Sequence, residues 1–293
     1  MRTGGKKIRK LNRVTSFDII LAILMAALAL LILYPFYNAV LISVVSQYEY
    51  LQTPILLFPK QWDFTSYAFV FESGQILSGM RTTIVILVVG VLYNMFLTVT
   101  LAYALTKPFP GKKAVTYIII FTMYFSGGLL PFYLLIKNLG MIDSIWSMII
   151  PTGISFMYMT VIKQNFEAIP AELEESAKID GASEIRILRS IYLPLSKPVL
   201  ATFVLYYGVE RWNEWWNGML FIKDVDKQPL QLILRNIIMN AASVADGSAS
   251  DAVVFGDGVK MASILIAMLP IMCLYPFLQR FFIGGLTVGA VKG

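Results

Sequence analysis

Six stretches of this sequence are too long and too apolar for water to be their only solvent. They run at about 17–45, 81–106, 114–136, 142–162, 199–222 and 259–283. A helix needs about 20 mostly apolar residues to cross the hydrocarbon core of a bilayer. Composition agrees, because 14% of the residues are charged where a soluble domain carries about 25%. The expectation is an all-α integral membrane protein with six transmembrane helices, folded as a single domain over residues 1–293. The first run shows no small-residue cleavage pattern and is expected to remain as a span. A tight hairpin at 137–141 joins the third and fourth.

The basic residues sort by side. Arg2, Lys6, Lys7, Arg9, Lys10 and Arg13 precede the first span. Lys107, Lys112 and Lys113 follow the second, and Lys163, Lys178, Arg186, Arg189 and Lys197 follow the fourth. Arg280 and Lys292 lie at the C-terminal end. With six spans all four segments share one face, which the positive-inside rule makes cytoplasmic. Both termini of this multi-pass chain are therefore expected in the cytoplasm. The net charge of +6 thus reads as a topology signal and not as a nucleic-acid footprint.

Catalytic chemistry finds little to work with. There is no histidine, and the single cysteine, Cys273, lies in an apolar run. The commonest general base and metal ligand are thereby missing, and no disulfide can form within the chain. No phosphate-binding Gly-x-x-x-x-Gly-Lys-Ser/Thr loop occurs. No catalytic residue, metal site or cofactor is expected in this chain.

The loop between the fourth and fifth spans, about 167–198, carries the most information. Pro170 followed by Ala171 and Glu172 suits a helix start, with Leu173, Ala177 and Ile179 as an apolar stripe. Gly181 breaks that helix. Ile185, Leu188, Ile191 and Tyr192 then recur at helical spacing, and Pro194 and Pro198 end the second helix before the fifth span. Such an amphipathic hairpin can lie on the membrane surface or dock in a groove on a partner.

Within it, Glu175-Ser176-Ala177 is followed after three residues by Gly181, after nine more by Ile191, and after one more by Leu193-Pro194. The pattern resembles the cytoplasmic Glu-Ala-Ala motif of permeases of binding-protein-dependent ABC importers, with Ser176 in place of the middle alanine. Asp180 and Ala182 fit the carbohydrate-importer version. The resemblance, to the maltose-type branch, spans nearly the whole chain and implies the type I importer fold. It makes the segment 174–198 a coupling helix seated in an ATPase subunit, with Glu175 paired to a basic residue there and Gly181 permitting the turn.

The C-terminal Gly289, Val291, Lys292 and Gly293 look like the tail that reaches into the ATPase dimer. The implied partners are a second, different permease, two copies of a cytoplasmic ATPase that binds ATP and magnesium, and an extracytoplasmic solute-binding protein. The implied cargo is a sugar or oligosaccharide, with acidic fragments such as alginate within the branch. Peptides or amino acids are the alternative cargo. A secondary transporter or a membrane-embedded enzyme is a different class, which the coupling motif and the missing catalytic groups disfavour.

The fifth span contains Glu210-Arg211-Trp212-Asn213-Glu214-Trp215-Trp216-Asn217. Ionisable residues inside a span face protein or a water-filled path. In a continuous helix from Val199, Arg211 lies roughly 18 Å along, and Trp212 pairs with Trp216, Asn213 with Asn217, and Glu210 with Glu214. Arg211, Trp212, Asn213, Glu214, Trp216 and Asn217 are candidates for the substrate path. The other reading makes the tryptophans an interface belt and Arg211 a structural partner between helices.

Overall fold

A computed structural model describes residues 16–54, 56–244 and 255–290, and all regular structure among them is helical. α1 spans Ser16–Ser43, and the short α2 and α3 are Gln47–Gln52 and Thr65–Glu72. α4 is Gln75–Thr106, α5 Lys112–Tyr124 and α6 Leu129–Asn138. α7 is Trp146–Ile149 and α8 Phe156–Glu167. The loop hairpin is α9, Ala171–Ile179, and α10, Glu184–Leu195. α11 is Lys197–Trp212, α12 Trp216–Phe221, α13 Leu230–Val244 and α14 Gly256–Ala290.

α4 is the central pillar, packed along α8, α11 and α13. Its buried positions include Thr83, Ile86, Gly90, Asn94, Thr98, Ala102 and Leu105, at three- and four-residue spacing. Most are small or polar, while Leu92 and Phe96 are exposed. Lipid tails are as apolar as leucine, so large apolar side chains gain little by turning inward, and small ones let backbones approach. α1 carries this furthest: every residue from 16 to 37 is exposed, a surface that suits lipid or a second subunit.

Three of the expected spans are broken. In the third, Ser126-Gly127-Gly128 separates α5 from α6, with Gly128 at φ +91° and a bend of 116°. In the fourth, Pro151 and Gly153 fall between α7 and α8, because proline cannot continue the hydrogen-bond ladder. In the fifth, α11 stops at Trp212 and the helix resumes at Trp216. Among the described residues α1, α4 and Gly256–Cys273 of α14 are each long and apolar enough to cross a bilayer, and two bent pairs reach that length together.

A break inside a membrane leaves carbonyl groups that no water can satisfy. Arg211 supplies the donors for the α7–α8 break. It is 3% exposed, and its Nη1 donates to the carbonyl of Met148 at 2.5 Å. Nη2 donates to Ile149 O and Thr152 O, both at 3.1 Å, and to Asn94 Oδ1 at 2.7 Å. Asn94 Nδ2 donates in turn to Thr152 O at 2.7 Å and Gly153 O at 3.1 Å. One turn away, the Tyr207 hydroxyl shares a 2.7 Å hydrogen bond with Thr98 and accepts from the Ser155 amide at 3.0 Å. A polar seam thus binds α4, α11 and the α7–α8 break. Gly90 makes room for it, since a Cβ there falls 2.8 Å from Arg211 Nε.

Arg211→Met takes a donor from the carbonyls of Met148, Ile149 and Thr152, of which Met148 keeps the Thr152 hydroxyl and Thr152 keeps Asn94 Nδ2, and a buried carbonyl left unsatisfied costs about 1–3 kcal/mol. The expected result is a fall of about 5–10 °C in the melting temperature of the purified protein, with Arg211→Lys falling less. An unchanged melting temperature contradicts the structural role. Gly90→Leu forces the guanidinium out of the same seam and is expected to lower the melting temperature comparably.

Candidate functional site

The α9–α10 hairpin forms for local reasons. Gly181 adopts φ +74°, where a side chain is strained. Its amide donates to Lys178 O at 3.0 Å and the Ala182 amide to Ala177 O at 2.9 Å. These two bonds satisfy the last carbonyls of α9 as a Schellman cap. Ser183 then caps α10, its Oγ accepting from the Arg186 amide. Within α10, Leu188–Tyr192 is a π-helical turn closed by Leu193 N–H donating to Leu188 O. Pro194, which offers no amide donor, follows directly.

The expected motif divides between two tasks. Ala177, Ala182, Ile191 and Leu193 are half-buried against a core that includes Val99, Phe166, Ile187 and Tyr192. Glu175, Ser176, Asp180, Gly181 and Pro194 are exposed. Leu173 and Ile179 do not form the inward stripe that their spacing suggested: both are exposed, Ile179 at 86%, and so is Ile185 at 67%. Ile187 takes the inward place, 1% exposed. Two large apolar side chains therefore flank the Gly181 turn with none of the described residues covering them.

Charge fixes the hairpin to the end of α4. Glu174 accepts from Lys107 at 2.5 Å, Lys178 at 2.7 Å and the Tyr192 hydroxyl at 2.5 Å. Glu184 accepts from the Tyr103 hydroxyl at 2.5 Å, with Lys178 at 3.4 Å and Lys107 at 3.6 Å. Burial pushes the Glu174 carboxyl up, but the hydrogen bonds from Lys107, Lys178 and Tyr192 outweigh it and hold it at about 2. The Tyr103 hydrogen bond, opposed by burial, holds Glu184 below its usual range. Of this network only the Glu174–Lys178 pair, four residues apart on a helix, leaves a signal in the sequence.

The fifth-span residues also divide. Arg211 is engaged by the seam and Trp212 is buried among Leu230, Ile233 and Val259. Both side chains thus make protein contacts in this structure. The expected helical pairs are lost with the break. Asn213 Nδ2 instead donates to Val209 O at 2.8 Å, and Glu214 accepts from the Asn217 amide and side chain, both at 3.0 Å. Asn217 is buried and Trp216 exposed. A cavity of about 610 Å³ opens between α11, α13 and α14, and Asn213 is the one expected path residue on its wall, beside Trp215, Gln231 and Arg235. Arg235 holds its guanidinium carbon 5.3 Å from the Trp215 ring centre. Gly289 lies within α14, and Val291, Lys292 and Gly293 lie outside the described residues, as does most of the glycine- and serine-rich loop before α14.

The Glu174 network sets a pH window. A carboxyl held near 2 instead of its ordinary 4.5 stabilises the docked hairpin fully above 4.5, and the contribution fades as pH falls through 2. A spin label at Asp180→Cys, in a Cys273→Ser background, is expected to stay immobile from pH 8 to about 5 and to gain mobility below. Glu174→Gln is expected to mobilise it at neutral pH and to flatten the response. A label insensitive to both changes contradicts the anchor.

No family model matches the chain. Among curated relatives, protein LplC of Bacillus subtilis (strain 168) is 40% identical over 280 residues, covering 94% of this chain and 95% of the relative. The polygalacturonan/rhamnogalacturonan transport system permease protein YtcP of the same organism is 34% identical over 285 residues, covering 94% and 98%. Among solved structures, a chain of a bacterial ABC transporter involved in the import of the acidic polysaccharide alginate superposes with a TM-score of 0.81 and 31% identity, over 95% of this chain and 100% of that one.

Proposed function

This chain belongs to the family of carbohydrate ABC-transporter permeases, a multi-pass membrane transport subunit and not an enzyme, and from that premise we propose that it forms half of an import path for an acidic oligosaccharide. The observation that carries the coupling part is the hairpin, anchored to the bundle on one side and presenting Ile179, Ile185 and Glu175 on the other. An ATPase subunit covers that exposed side. Gly289, Val291, Lys292 and Gly293 reach into the ATPase dimer. ATP and magnesium are held there, and this chain carries no cofactor. The complete importer pairs this chain with a second, different permease, two ATPase copies and an extracytoplasmic solute-binding protein in the bacterial inner membrane. The single domain crosses six times, with broken helices in the third, fourth and fifth spans, and keeps both termini in the cytoplasm.

The path runs along one face of α11. Tyr206, Glu210 and Asn213 recur there and all are exposed, with Glu210 accepting from the Tyr158 hydroxyl at 2.5 Å. A carboxylate on a membrane helix is costly against lipid, so this face suits a hydrated path. The acidic cargo draws on the relatives: galacturonan and alginate are both polymers of uronic acids. Arg211, Trp212, Glu214 and Asn217 shape the path from behind by holding the break in α11, and Asn213 and Trp216 meet the cargo.

Reconstitution with the cognate ATPase and binding protein tests the coupling. Gly181→Trp strains the turn and obstructs the tip, and Glu175→Ala removes its exposed charge. Each is expected to lower binding-protein-stimulated ATP hydrolysis by about tenfold or more, the effect of losing an interfacial contact worth about 1.4 kcal/mol or more. Full stimulated hydrolysis and uptake in both variants sinks the proposal.

A further inference from the structure

We propose that Arg235 recognises the carboxylate of a uronic-acid unit of the cargo, inside the cavity between α11, α13 and α14. The inference rests on the acidic-oligosaccharide reading above and assigns that recognition to one residue. The cavity, about 610 Å³, lies within the size range of small-molecule sites, about 300–1,000 Å³. Its walls are mostly apolar, with Leu234, Ala267 and Met268 among them, and the polar groups are few: Asn213, Gln231 and Arg235. An apolar chamber with a few convergent polar groups is the usual form of such a site.

Arg235 is the cationic side chain on that wall. Lys227 is paired with Asp143 and Asp224, each at 3.2 Å, and Arg211 is engaged by the seam. Among the described residues no carboxylate lies within ion-pair distance of Arg235. Its guanidinium lies over the Trp215 ring, a cation–π interaction that holds it without neutralising it. The planar fork matches a carboxylate bidentately. Gln231 stands one turn earlier on α13, and Asn213 lies across at the end of α11, both placed for sugar hydroxyls. Location agrees as well. Leu230, at the start of α13, packs against Gly79 near the N-terminal end of α4, the end of the bundle away from the hairpin. In the proposed orientation that is the side where a binding protein delivers its cargo.

The test uses the complete importer in proteoliposomes, with trigalacturonate and trimannuronate as separate probes. Arg235→Gln is expected to lower uptake of the transported probe by about tenfold or more while leaving the melting temperature of the complex unchanged. Arg235→Lys, which keeps the charge and loses the fork, is expected to fall between. Uptake within about twofold of wild type in Arg235→Gln overturns the assignment and leaves the acidic-cargo reading standing. Equal losses in both variants, accompanied by a lower melting temperature, also overturn it, because they make Arg235 a packing residue. A wild-type importer that takes up neither probe overturns both the assignment and the reading beneath it.

Discussion

The buried guanidinium of Arg211 is what allows this bundle to contain a broken helix. Pro151 and Gly153 interrupt the fourth span in the middle of the chain's apolar mass, and the carbonyls of Met148, Ile149 and Thr152 lose their helical donors. In water such groups are solvated, whereas in hydrocarbon each one left alone costs several kcal/mol. Arg211 and Asn94 together reach all three and Gly153 as well. The acceptors of Arg211 are neutral, so the seam keeps the positive charge and dissipates it over carbonyl dipoles. Gly90 is the counterpart on α4, absent of side chain where the guanidinium lies.

The same two helices connect that seam to the hairpin. α4 carries Asn94 and Thr98 in the seam and Tyr103 at the hairpin, with Lys107 just beyond its end. α11 follows α10 through a single residue, Ser196, and carries Tyr207 and Arg211. A displacement of the hairpin therefore has a stiff route to the break in α11 and the cavity beside it: packed aromatic rings at Tyr103, Phe166 and Tyr192, with centres 5.0–6.4 Å apart, then the α4–α11 contact. Motion applied at Ile179 and Ile185 moves helices and not a loop. A permease that hydrolyses nothing itself needs such rigidity to convert a partner's closure into a change of access.

Sequence patterns disclosed the hairpin well and the spans coarsely. Gly181, Ser183 and the acidic first turn of α9 are local signals, and the local structure follows them. In the hairpin Ala177 and Ile187 turn inward while Leu173, Ile179 and Ile185 face out, because the Glu174 pairing with Lys107 and Tyr192 sets which side of α9 meets the bundle, and that pairing joins distant parts of the chain. Hydropathy located apolar runs but not their breaks, since Ser126-Gly127-Gly128 and Pro151-Thr152-Gly153 scarcely lower the average of a long window. The role of Arg211 was legible only as a choice between a path and a structural partner. Its acceptors are backbone carbonyls some sixty residues away, and a carbonyl has no letter in a sequence. The place of Arg235 on a cavity wall has no local signal either, since it depends on the packing of α13 beside α14 and the break in α11.

The central claim is that the exposed tip of the hairpin is a socket-filling surface for an ATPase and not a membrane-surface anchor. Photo-cross-linking tests it directly: a benzophenone probe at Ile179→Cys, in a Cys273→Ser background within the assembled importer, reports what covers that side chain. The account predicts a cross-link to the ATPase subunit, with Leu92→Cys on the outward face of α4 yielding none to it. Cross-links from Ile179→Cys to lipid alone would contradict the account.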